Sequence, residues 1–141
     1  MDNIDQDAAT RRGIIVMNAP QGNVGSAAEH AFALLAANAR NVAAADASVR
    51  AGRWERSKYL GVELEGKTLG IVGLGKIGSQ LAAYAKAFHM KVIAFDPMLV
   101  KERAEVLGAT LVEMDALLAS ADFICLHVPL TEKTRHMIGI R

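Results

Sequence analysis

One cysteine in 141 residues excludes an intramolecular disulfide framework and a Cys-rich zinc module. Aromatics are 5% of the chain and prolines number three, so neither an aromatic nucleic-acid platform nor a Pro-rich extended segment is present. Neither charge sign dominates: 16 Lys and Arg stand against 15 Asp and Glu, which argues against a basic nucleic-acid binder and an acidic tail. No apolar run approaches the ~18 residues of a membrane span. The N-terminus MDNIDQDAATRR opens on acids and has no apolar segment of the signal-peptide kind. A cytoplasmic location without membrane partners is therefore the expectation. What is plentiful is apolar residues, 52%, and glycine, 12 residues, the composition of one packed α/β domain.

The first 20 residues suggest a short helix and a strand. Asp5 or Asp7 can cap a segment that ends at Gly13, and the apolar run Ile14–Met17 predicts a buried strand. Residues 26–51 predict one long Ala-rich helix, roughly 38 Å at ~1.5 Å per residue. Ser26 and Glu29 have the spacing of a capping box, and Gly52 stands where a helix ends. So long a helix suggests a connector or a dimer face. The charged stretch Arg53-Trp54-Glu55-Arg56-Ser57-Lys58-Tyr59 suggests a solvated loop or a subunit contact rather than a nucleic-acid patch.

From residue 68 strands and helices alternate. Strands are expected at 68–72, 91–95, 109–112 and 123–128, with helices at 76–88, 100–107 and 113–121. This pattern predicts a Rossmann-type doubly wound parallel sheet, incomplete at about four strands in the order 3-2-1-4.

Gly73-Leu74-Gly75-Lys76-Ile77-Gly78 follows the first of these strands and opens a helix. Gly73 suits a tight turn, Gly75 a close approach of backbone to a pyrophosphate, and Gly78 close contact of helix and strand. Asp96 ends the second strand, 18 residues beyond Gly78, where a carboxylate can accept from the ribose hydroxyls of adenosine. It would repel a 2′-phosphate, which favours NAD over NADP. Gly70 to Lys76 also fits GxxxxGK, but Ile77 stands where a mononucleotide site needs a hydroxyl for Mg²⁺. A methyltransferase of similar fold shares the glycine turn and the acid, so these residues alone leave it open.

Cys125 and His127 share one face of the last strand but have no second ligand pair, so no metal site is expected. Cys125 is expected to be a core thiol. His127 lies at the C-terminal end of its strand, on the side where open α/β sheets bind ligands. No residue forms a GxSxG nucleophile elbow.

Thr68–Gly78, Phe95-Asp96-Pro97 and His127-Val128-Pro129-Leu130 together resemble the cofactor domain of the D-2-hydroxyacid dehydrogenases. Asp2-Asn3-Ile4-Asp5, Val16-Met17-Asn18-Ala19-Pro20 and Gly52-Arg53-Trp54 extend the likeness over the whole chain. The resemblance implies NAD as cofactor and a 2-hydroxy or 2-oxo acid as substrate of the full-length protein. It implies that Lys76 and Ile77 offer backbone N–H groups to the pyrophosphate, that Asp96 and the adjoining Pro97 hold the adenosine ribose, and that His127, Val128, Pro129 and Thr134 line the adenosine side. It also implies a division into a substrate-domain remnant (1–20), a connector and homodimer segment (21–65, with the contact through 26–60), and the first part of the NAD-binding domain (66–141). The family's catalytic Arg, Glu and His have no counterpart in this chain; Arg141 and His136 do not replace them. The chain alone is thus expected to show no turnover, either as the NAD-binding part of an oxidoreductase or as a non-catalytic dinucleotide-binding and dimerisation module.

Overall fold

The computed structural model describes residues 4–139. Asp2, Asn3 and Arg141 lie outside the described residues. The ordered elements are helices α1 (Gln6–Arg11), α2 (Val24–Ala39) and α3 (Val42–Arg50), a 3₁₀ turn (Arg56–Tyr59), then β1 (Thr68–Val72), α4 (Lys76–Ala87), β2 (Lys91–Phe95), α5 (Lys101–Val106), β3 (Thr110–Leu111), α6 (Met114–Ser120) and β4 (Phe123–Leu126).

The four strands are parallel and lie in the order β3-β2-β1-β4, as the alternation of elements predicts. Strand β1 is central. It pairs with β2 from Thr68↔Lys91 to Val72↔Phe95, and with β4 from Leu69↔Phe123 to Val72↔Leu126. A strand flanked on both edges and covered on both faces must be apolar throughout, and Leu69, Ile71 and Val72 are fully buried. Helix α4 covers one face through Leu81, Ala82 and Ala85, and Ala104 of α5 joins the same cluster. Helix α6 covers the other face. A Cβ on Gly70 would come within 2.7 Å of Leu117 Cδ2, so glycine lets α6 sit close on β1.

Helix α2 presents Ala28, Leu35 and Ala39 inward, with Phe32 between the rings of Tyr84 and Phe88 on α4 and beyond. These positions recur at helical spacing, which explains how an Ala-rich segment docks against α4. The single helix expected over 26–51 is instead two. Asn41 adopts a left-handed backbone at φ +53°, and its Nδ2 donates to the Leu60 carbonyl at 3.2 Å, so the chain turns between α2 and α3. Asn tolerates that conformation better than most residues. The capping box at Ser26 also fails. The helix begins two residues earlier, and Ser26 Oγ donates back to the Asn23 carbonyl at 3.1 Å from inside the first turn.

Residues 14–17 form no strand. Ile14, Ile15 and Met17 are exposed, and no described strand pairs with them, so their backbone gains no ladder. The expected strands at 109–112 and 123–128 shorten to Thr110–Leu111 and Phe123–Leu126. Asp5 caps α1 by accepting from Ala8 N at 2.8 Å, and Gly52 follows α3 at φ +73°. The charged stretch after α3 is organised around Glu55. Glu55 accepts from the buried Ser48 hydroxyl at 3.1 Å and pairs with Arg53 and Lys58. The Ser48 hydrogen bond chiefly, helped by Lys58, holds the Glu55 carboxyl below its usual range. Among the described residues no helix is long and apolar enough to cross a membrane.

Candidate functional site

The C-terminal ends of β1 and β2 frame a cavity of about 560 Å³. The glycine loop forms its floor. Gly73 takes φ +91°, and its N–H donates to the Phe95 carbonyl at 2.9 Å, locking the turn to the neighbouring strand. A Cβ at Gly73 would lie 2.8 Å from the His127 carbonyl and from Val128 Cγ1. A Cβ at Gly78 would strike the Gly73 carbonyl, so glycine there seats α4 directly on the turn. At Gly75 a Cβ would meet nothing within 4 Å: the loop turns a bare, open backbone face outward.

Helical hydrogen bonding begins where Ser79 N donates to the Gly75 carbonyl at 2.8 Å. The N–H groups of Lys76, Ile77 and Gly78 precede that bond and are the orphan donors of the helix start. Together with the helix dipole they give this end of α4 a positive character suited to an anion. The Ser79 hydroxyl donates to the Leu74 carbonyl at 3.2 Å and braces the loop from below.

Asp96 faces this loop. Its Oδ2 accepts from Leu74 N and its Oδ1 from Met98 N, each at 2.9 Å. The carboxylate is half-buried and fixed in orientation, and each oxygen keeps a lone pair for a further donor. Pro97 is exposed on the turn that follows. Lys76 Nζ donates to the Pro20 carbonyl at 3.3 Å, which draws the segment before α2 against the loop; Gln21 and Val24 complete the cavity wall.

The structure therefore brings Gly75, Lys76 and Asp96 together around one cavity. Val128 and the His127 backbone abut Gly73 but stand on the far side of the loop. The His127 side chain, with Cys125, lines a separate groove between α2 and β4. Its Nε2 is shielded and has no partner among the described residues, and burial lowers the imidazole pKa. Burial likewise raises the half-buried Cys125 thiol, which packs against the core. Pro129 and Thr134 belong to a tight turn. Thr134 Oγ1 donates to the Pro129 carbonyl at 2.6 Å and accepts from Thr131 N at 2.7 Å. The hydroxyl thus fixes the exit from β4.

Sequence reasoning missed the outer wall: Met98, Leu99, Arg103 and Leu107. Only the folding of α5 back over the Asp96 turn brings them to the cavity, and no motif marks them. Among the described residues no three His, Cys, Asp or Glu side chains gather as a metal set.

Residues 32–141 match the family model of the D-isomer specific 2-hydroxyacid dehydrogenase NAD binding domain. The chain belongs to this family. That membership decides between the dehydrogenase and methyltransferase readings, and it makes the Gly73–Gly78 loop and Asp96 parts of an NAD-binding domain. A D-3-phosphoglycerate dehydrogenase of Archaeoglobus fulgidus is 55% identical over 139 residues, 99% of this chain and 26% of that protein. The chain thus spans about a quarter of the length of that relative. Among solved structures, the apo D-lactate dehydrogenase of Escherichia coli superposes with a TM-score of 0.87 at 33% identity, covering 98% of this chain and 43% of that one. A D-lactate dehydrogenase of Aquifex aeolicus complexed with NAD and lactic acid gives 0.83 at 36% identity, covering 97% and 41%.

Proposed function

We propose that this chain supplies the cofactor side of an NAD-dependent oxidoreductase that acts on the CH–OH group of a D-2-hydroxy acid, with 3-phosphoglycerate as the substrate. The observation that carries the reading is the placement of Asp96 across the cavity from the open N–H groups of the glycine loop. A dinucleotide carries both a pyrophosphate and a ribose diol, and this site offers donors for one and an acceptor for the other. The 55% identity to a D-3-phosphoglycerate dehydrogenase supports the substrate.

In this reading the N–H groups of Lys76 and Ile77 hold the pyrophosphate, and the bare Gly75 backbone admits it. Asp96, oriented by Leu74 N and Met98 N, accepts from the ribose hydroxyls, with Pro97 limiting the turn beside it. His127, Val128 and Pro129, steadied by Thr134, form the wall on the far side of Gly73. When bound, the nicotinamide ring would accept or donate the hydride. The residues present here fix where the dinucleotide lies.

Residues 1–20, 21–65 and 66–141 correspond in this proposal to a substrate-domain remnant, a connector with a homodimer contact through 26–60, and the cofactor domain proper. Exposed Leu34, Val49 and Trp54 support the contact. The cytoplasm is the proposed location.

Calorimetric titration of the chain with NADH and NADPH tests the cofactor reading. NADH should bind more tightly, and Asp96→Ala should weaken NADH by about tenfold or more, the cost of a charge-assisted hydrogen-bond pair. NADH binding unaffected by Asp96→Ala would sink the assignment of the ribose site.

A further inference from the structure

Among the described residues, one hydrogen bond ties residues 4–22 to the glycine loop and the sheet behind it. It runs from Lys76 Nζ to the Pro20 carbonyl, 3.3 Å long and between positions 56 apart in the chain. Every other hydrogen bond of this stretch closes within five residues: Ile14 N donates back to the Ala9 carbonyl and Gly22 N to the Ala19 carbonyl, each at 3.0 Å. Burial adds little hold, because between Ile4 and Asn23 Ala9 alone is buried. The Gly22–Ala19 bond makes a compact turn of these residues, so fixing the Pro20 carbonyl also fixes Gln21, which lines the cavity beside Lys76.

Lys76 is the first residue of α4. Its backbone N–H is a free donor at the loop, while its ammonium is engaged on Pro20. Among the described residues that ammonium forms no ion pair, although Asp96 lines the same cavity. A cation on a carbonyl makes a charge-assisted hydrogen bond that a neutral side chain does not replace.

We propose that the Lys76 side chain is a positioning residue: it holds the Pro20–Gln21 corner on the cavity and so couples cofactor binding to the placement of residues 4–20. This rests on the dinucleotide reading of the cavity. A cofactor gains contact with that corner only when the turn is docked; with the turn free, binding must first order it and loses affinity. Linkage makes the effect mutual, so the cofactor steadies the turn by the factor by which the docked turn strengthens the cofactor.

The test compares the wild type, Lys76→Met and Lys76→Arg by amide hydrogen exchange and by calorimetric titration with NADH. In the free chain Lys76→Met should speed exchange over residues 18–24 by about three- to tenfold, the weight of one exposed charge-assisted hydrogen bond, with exchange in β1 and β2 and the melting temperature unchanged. It should weaken NADH by a similar factor, and Lys76→Arg should restore both. Saturating NADH should slow exchange over 18–24 in the wild type and do so less in Lys76→Met. Weaker NADH binding with exchange over 18–24 unchanged would assign the ammonium to the pyrophosphate itself and overturns the proposal. So does faster exchange with NADH affinity intact, which makes the bond structural only. If the wild type binds no NADH, the dinucleotide reading falls and the coupling with it, while exchange in the free chains still reports separately whether Lys76 holds the turn.

Discussion

At Gly73 two independent constraints act on one atom. The backbone is left-handed at φ +91°, and the space a Cβ would need is taken by the His127 carbonyl and Val128. Gly73→Ala is expected to cost about 1–3 kcal/mol in stability and to weaken NADH at the same time, read by thermal melting and titration. A variant as stable as the wild type would contradict the close approach. His127 carries a different prediction. Its folded pKa lies below the ordinary value near 6.5 because the ring is buried. The unfolded chain therefore takes up a proton that the folded chain refuses as pH falls from about 6.5 toward the folded pKa, and stability falls over that window. Above about 6.5 both states are neutral there and the contribution is flat. Melts of the wild type and His127→Gln between pH 8 and pH 5 should diverge only at the acid end, with the wild type losing more. Gly73, Gly78 and Asp96 were legible because each needs a residue type that the fold cannot replace. Arg103 was not, since nothing in its local sequence distinguishes it from a solvated helix surface.

Among the elements, the strands and helices from residue 68 onward keep the order the sequence pattern predicts, and β1 and β2 keep its bounds, because each of those two is a short apolar run closed by Gly73 or Asp96; β3 and β4 are shorter than expected. The Ala-rich segment shows the limit of that logic. Its composition favours helix at nearly every position, and composition does not locate the break at Asn41. The break depends on a contact with Leu60, nineteen residues away. Asn41→Ala should cost about 1–2 kcal/mol, since Ala pays for the left-handed backbone and loses the Nδ2 hydrogen bond. Asn41→Gly should recover most of the backbone part. Equal melting of Asn41→Ala and the wild type would mean that the two helices do not need the turn. Ile14–Met17 teaches the converse. Apolar character alone does not make a strand; a partner must complete its hydrogen bonds.

Over the whole molecule, burial is concentrated between the sheet and its flanking helices. Leu81 is fully buried among Ile71, Ala82 and the β2 side chains, so Leu81→Ala should cost about 2–5 kcal/mol by denaturant titration. Ile14→Ser, at a side chain 57% exposed, should change stability by no more than about 0.5 kcal/mol. A large loss at Ile14 would show that residues 14–17 are covered in solution, for instance by a second copy of the chain. Strand β4 is an edge strand that exposes Ile124 and Leu126.

By itself the sequence determined the class of fold, the strand order and the chemistry of the phosphate loop. Those follow from local rules: the period of apolar residues, the handedness of crossovers and the few residue types that a tight turn admits. Tertiary structure decided where the Ala-rich segment bends, that Ile14–Met17 stays unpaired, and that Arg103 shares a cavity with Asp96. Each depends on contacts between residues far apart in the chain or on neighbouring elements, and such contacts leave no trace in local periodicity.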